Sequence, residues 1–163
     1  MIPRIEARAL RMREWNVDGK IRFPVDPFKI AENLGIVVYE EDLDNNLAGF
    51  IIRESADAPV EVYLNSNDSA LRRRFTLAHE LGHYIQRGDD EALGFVDKRS
   101  ELAMSGADPQ ERWANAFAAE LLMPAAIVKK YWAEGESADA LAQKFQVSNA
   151  AINVRLSSLG LLR

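Results

Sequence analysis

Two histidines occur in the whole chain, His79 and His83, and they stand four residues apart with Glu80 directly after the first. On a helix, positions i and i+4 project from one face with Cβ atoms about 5–6 Å apart, so two imidazoles can converge on a single cation. Turned at about 100° per residue, Thr76, His79, Glu80 and His83 share one side of the segment. Leu77, Ala78, Leu81 and Ile85 fall on the other side, where they can anchor the helix in a core. Imidazole nitrogen suits Zn2+ at about 2.0–2.1 Å, and hydrolytic zinc sites keep one position open for water. A cation held there lowers the pKa of its water from about 15.7 toward 7 and polarises a carbonyl. Glu80, beside the ligands, is then placed to take the water's proton and hand it to a leaving amine. The chemistry expected is metal-assisted hydrolysis of a peptide bond. Mn2+ and Fe2+ are compatible with the same ligand types. A chance match on an ordinary helix is the competing explanation, and the confinement of both histidines to the motif weighs against it.

A catalytic zinc takes three protein ligands, so one more is needed. Glu111 is the first choice, on the next strongly helical segment, with Asn115 one turn later as a hydrogen-bonding neighbour of a ligand. Ala114, Ala118 and Ala119 are small enough for this helix to approach the motif helix closely. In Asp108-Pro109-Gln110-Glu111, however, Glu111 also occupies the N3 position of a capping box, where a glutamate serves the backbone alone. The competitor is Asp89, six residues after His83. That spacing needs a glycine three residues past the second histidine to turn the chain, and Gln86 stands there instead.

The elements that must position these residues follow from pattern and punctuation. Glu6–Trp15 reads as an amphipathic helix. Asp26-Pro27 caps a helix over Phe28–Leu34 that ends at Gly35, and Ile36–Tyr39 reads as a buried strand. Ala48–Ile52 and Val60–Leu64 form a hairpin across the polar link 53–59. A motif helix covers Asp68–Ile85, and Gln86–Ala107 reads as loop with a short helix. A further helix runs from Asp108 to Met123, stopping before Pro124, and Asp139–Phe145 and Asn149–Leu159 make a closing helix pair. Strands gathered early and helices late predict an α+β fold rather than a doubly wound one. Substrate peptides in related enzyme classes lie along an edge strand, which points to Val60–Leu64 as a cleft wall.

Composition narrows the function classes. The 163 residues carry no cysteine, which removes disulfides and thiolate metal sites, and the formal charge of −5 disfavours a nucleic-acid partner. No apolar run reaches the roughly 20 residues of a membrane span, and the charged opening Met1–Glu6 lacks a signal-peptide core, so a cytoplasmic protein is expected.

The run Arg74–His83 (RFTLAHELGH), followed by Glu111–Pro124 (ERWANAFAAELLMP), resembles the ImmA/IrrE family of metallo-endopeptidases. The likeness extends from about Asp26 to Leu162. It implies that His79, His83 and Glu111 ligate the metal and that Glu80 is the catalytic base. It further implies one zincin-like, gluzincin-like domain over 1–163, with a small antiparallel sheet and helices around the active helix. Residues 1–25 would form an N-terminal helical extension and 139–163 a helix pair packed on the core. Members of the family cut, or trigger the cutting of, helix-turn-helix repressors, and some act in toxin–antitoxin pairs. The implied partner is thus a repressor or antitoxin. Two rival functions have sequence support. One is an interaction or toxin protein with little proteolysis of its own. The other is a DNA-binding protein through 139–159, whose spacing resembles a helix-turn-helix but whose second helix has Arg155 as its only basic residue.

Overall fold

A computed structural model of the chain describes residues 1–87, 92–98 and 108–162. The chain opens with α1 (Pro3–Glu14), which starts at a proline in the first helical turn and buries Ala7, Leu10 and Arg11. A two-residue hairpin follows, β1 (Asn16–Val17) against β2 (Lys20–Ile21). Asp18 and Gly19 at its tip both have positive φ, 53° and 76°. Asp-Gly is the sequence preference of that turn, and the hairpin lies outside the expected elements. Helix α2 (Pro27–Asn33) is capped by Asp26, whose carboxylate accepts from the Phe28 amide at 2.9 Å. It ends through Gly35, with the Ile36 amide donating to the Ala31 carbonyl at 2.9 Å.

Four strands make one sheet in the order β3 (Val37–Glu41), β5 (Glu61–Asn65), β4 (Leu47–Arg53), β6 (Leu93–Lys98). The α+β class holds, but the sheet is mixed rather than antiparallel. β4 pairs antiparallel with both β5 and β6, while β3 runs parallel to β5. The cause is a loop that carries the chain from β3 past the place β5 will take. Asn65 pins it, its amide donating to the carbonyls of Asp44 at 3.1 Å and Leu47 at 2.9 Å. Two further expectations change with this topology. The 37–41 strand lies at an edge, with Val37 and Tyr39 each 39% exposed, and is not buried. The 61–65 strand is paired on both sides, so its backbone cannot receive a peptide. Among the described residues the open edges belong to β3 and β6. β6 itself falls in the stretch read as loop and short helix.

The motif helix α3 (Ala70–Arg87) crosses the inner face of this sheet and packs on α4 (Pro109–Leu122). Its burial exceeds the two-sided pattern expected, since every residue from Thr76 to His83 is buried. One side faces the strands and α2, and another faces α4. Helix α5 (Ala125–Ala133), not anticipated, starts directly after Pro124. The closing pair α6 (Ala138–Phe145) and α7 (Asn149–Ser158) is capped by Ser137 and Ser148, each accepting from an amide three residues on. Leu141, Phe145, Ile152 and Leu156 of this pair are buried and join the main core. No helix among the described residues is long and apolar enough to cross a membrane.

Candidate metal centre

The site forms where α3 and α4 touch. Their closeness depends on small residues: a Cβ on Gly82 would lie 3.1 Å from Ala114 Cα and 3.3 Å from Ala114 Cβ. This contact brings the first turn of α4 over the two histidines. Glu111 Oε2 lies 2.8 Å from His79 Nε2, and Glu111 Oε1 lies 3.0 Å from His83 Nε2. Ligand atoms of the three residues all fall within 4.8 Å of one another. Asp108 caps α4 with its own carboxylate, which accepts from the Gln110 amide at 2.7 Å, while both Glu111 oxygens face the imidazoles. Asp89, the other candidate ligand, lies outside the described residues.

Asn115 stands one turn beyond Glu111, and its Oδ1 is 2.8 Å from His79 Nδ1. An amide oxygen only accepts, so His79 Nδ1 carries the proton. A neutral ring with that tautomer would present its Nε2 lone pair to the Glu111 carboxylate oxygen 2.8 Å away, two acceptors that a shared cation satisfies. Burial lowers the pKa of His83, with the Glu111 hydrogen bond opposing, and this favours the neutral ring that ligation requires.

Glu80 is fully buried, and neither of its carboxylate oxygens has a hydrogen-bond partner among the described residues. An ionised carboxylate buried in this way costs several kcal/mol by order of magnitude unless a cation or water meets it. The donor set therefore fits a divalent metal with a water: two neutral imidazoles, one carboxylate, and a second carboxylate kept back. Thr76, one turn before Glu80, is likewise fully buried, and its hydroxyl has no hydrogen-bond partner among the described residues. The helical spacing placed Thr76 on this side, but nothing in the sequence gave it a role.

Comparison with known proteins came out in accord with this geometry. Over 106 residues the chain is 30% identical to immunity region protein 2 of Bacillus phage phi105, covering 65% of this chain and 63% of that protein. Over 96 residues it is 33% identical to the radiation response metalloprotease IrrE of Deinococcus radiodurans, covering 53% of this chain and 27% of that one. The chain thus spans less than two thirds of the length of these relatives. Residues 31–157 match the peptidase M78 family, described as the IrrE N-terminal-like domain. Both helices of the centre lie within that match, and the chain belongs to the IrrE N-terminal-like domain family.

Proposed function

We propose that the chain is a zinc-dependent endopeptidase in which His79, His83 and Glu111 hold the metal and Glu80 is the general base. One observation carries the reading: two imidazole Nε2 atoms converge on the two oxygens of the Glu111 carboxylate, beside a buried carboxylate left over. When bound, the metal supplies Lewis acidity toward a carbonyl and makes water acidic near neutral pH. The chain's own residues do the rest. Asn115 fixes the tautomer of His79. Glu80, shut away from bulk water, takes the proton of the attacking water on a carboxylate oxygen and returns it to the leaving amine. Leu77 and Leu81, fully buried on the same helix, hold these groups in place. An extended peptide needs an open strand edge, and we assign β6, which begins six residues after α3 ends at Arg87.

The substrate we infer is a cytoplasmic protein of the helix-turn-helix repressor or antitoxin type. The motif blocks carry that implication, and similarity to a phage immunity region protein supports it. Direct nucleic-acid binding is disfavoured by the fate of Arg155. This lone basic residue of α7 turns inward, paired with the Glu120 carboxylate and donating its Nε to the Met123 carbonyl at 2.9 Å. The test compares zinc-loaded wild type with Glu80→Gln against a panel of such repressors, reading fragments by mass spectrometry. Full metal in both proteins, with cleavage by wild type alone, is expected. Equal cleavage by both would remove Glu80 from the chemistry. Binding without cleavage in either would leave an interaction protein.

A further inference from the structure

Thr76 and Glu80 are the pair on α3 whose burial the site, as described, leaves unexplained. They stand at i and i+4 and so share a helix face, with Cβ atoms about 5–6 Å apart. Both are 0% exposed, and among the described residues the Thr76 hydroxyl and both Glu80 oxygens make no hydrogen bond. A threonine inside a helix usually donates to the carbonyl one turn back, here that of Arg72. Thr76 does not. Its methyl group explains why. A Cβ built on Gly49 of β4 would lie 3.1 Å from Thr76 Cγ2, so the methyl packs against the glycine backbone of the sheet. A β-branched side chain has few rotamers in a helix, and seating the methyl fixes where the hydroxyl points. The missing side chain at Gly49 thus orients an O–H group on the face that carries the Glu80 carboxylate.

We propose that Thr76 is a positioning residue for Glu80: its hydroxyl donates, through one shared water, to the carboxylate and holds it in the orientation that receives a proton. Among the described residues the two groups do not bond each other directly, and Cβ atoms about 5–6 Å apart leave room for a single water to bridge them. The proposal deepens the peptidase reading and rests on Glu80 acting as the base. A hydroxyl present only for packing predicts something different, because valine keeps the shape and removes a buried unsatisfied donor.

The test is a double-mutant cycle on the zinc-loaded protein with Thr76→Val and Glu80→Leu, read as melting temperature. Thr76→Ser and metal content serve as controls. Thr76→Val is expected to lower Tm by about 2–4 °C in the wild-type background, as loss of one satisfied buried bond does in a chain of this size. It is expected to leave Tm unchanged or raised in Glu80→Leu, with metal content equal throughout and serine restoring the wild-type value. On a cleaved substrate, Thr76→Val lowers kcat about tenfold, as loss of about 1.4 kcal/mol of transition-state stabilisation would, and leaves KM within twofold. A rise in Tm for Thr76→Val in the wild-type background, or equal shifts in both backgrounds, would overturn the proposal. The cycle reads this coupling whether or not any peptide is cut. A wild type that holds zinc and cuts nothing would therefore count against the peptidase reading and not against the Thr76–Glu80 link.

Discussion

Replacing Gly82 by alanine tests whether the spacing of α3 and α4 sets the metal centre. The new Cβ would stand 3.1 Å from Ala114 Cα, 3.2 Å from Phe117 Cδ1 and 3.3 Å from Ala114 Cβ. Ordinary carbon contacts lie near 3.5–4.0 Å, so each is short by a few tenths of an ångström. The Phe117 ring can turn aside. Ala114 Cα is backbone and moves only if α4 moves, and Glu111 sits one turn earlier on that same rigid helix. Its carboxylate oxygens, now 2.8 Å and 3.0 Å from the two imidazole nitrogens, would retreat by a similar amount. Metal–ligand distances tolerate only about 0.2 Å of error. Stability is a closer contest. Overpacking costs about 1–3 kcal/mol, while alanine gains up to about 1 kcal/mol over glycine in a helix interior. The net loss is about 0–2 kcal/mol, or a fall in Tm of up to about 8 °C. Zinc affinity, measured by competition with a chromophoric chelator, should fall at least about tenfold, equivalent to about 1.4 kcal/mol, with the helical circular dichroism retained. Unchanged affinity together with a raised Tm would refute the reasoning, since propensity alone would then govern the site and the helix contact would have slack.

Other perturbations separate the roles of neighbouring residues. Asn115→Ala frees the His79 tautomer and should weaken metal binding by about 10–100-fold in the same competition assay. Glu111→Ala removes the carboxylate between the imidazoles and should weaken it further still, with metal content after desalting near zero. Equal metal in Glu111→Ala and wild type would move the third ligand elsewhere. Arg155→Met removes the cation from Glu120, its side chain 8% exposed, while the Ala125 amide still donates to that carboxylate at 2.9 Å. Breaking such a buried pair costs about 3–5 kcal/mol, and the surviving amide bond favours the lower end, a fall in Tm of about 6–12 °C in thermal unfolding. A protein that read DNA through α7 would instead lose DNA affinity with Tm unchanged.

The parts of the molecule legible in its sequence are those where a local rule and the tertiary structure agree. Asp26-Pro27 and Asp108-Pro109 announce helix starts because capping and proline geometry act within four residues. The spacing of His79 and His83, and their meeting with Glu111 and Asn115, were open to inference because helical geometry and the two motif blocks constrain them. What pattern could not supply was pairing. Whether β3 runs parallel to β5 depends on a loop held by Asn65, a contact across 18 to 22 residues. The exposure of Val37 and Tyr39 follows from that edge position and not from their hydrophobicity. Asp18-Gly19 carries a turn signal that the sequence displays locally, while α5 lacks a side-chain cap to mark its start.

Gly49 and Gly82 show why the remainder is hard to see. Neither has positive φ, so neither is a glycine for the sake of a turn. Each is small because another element presses on it, the backbone of β5 together with Thr76 in one case and that of α4 in the other. A sequence records such a residue only as a weakness, a poor helix former in α3 and a poor strand former in β4. The site depends on both weaknesses. One lets a carboxylate come within reach of two imidazoles, and the other seats the threonine methyl whose hydroxyl we assign to the base. Local propensity is sacrificed at the positions where the active helix must be approached from two sides. Such conflicts between local preference and packing belong at a functional centre more than in an ordinary core.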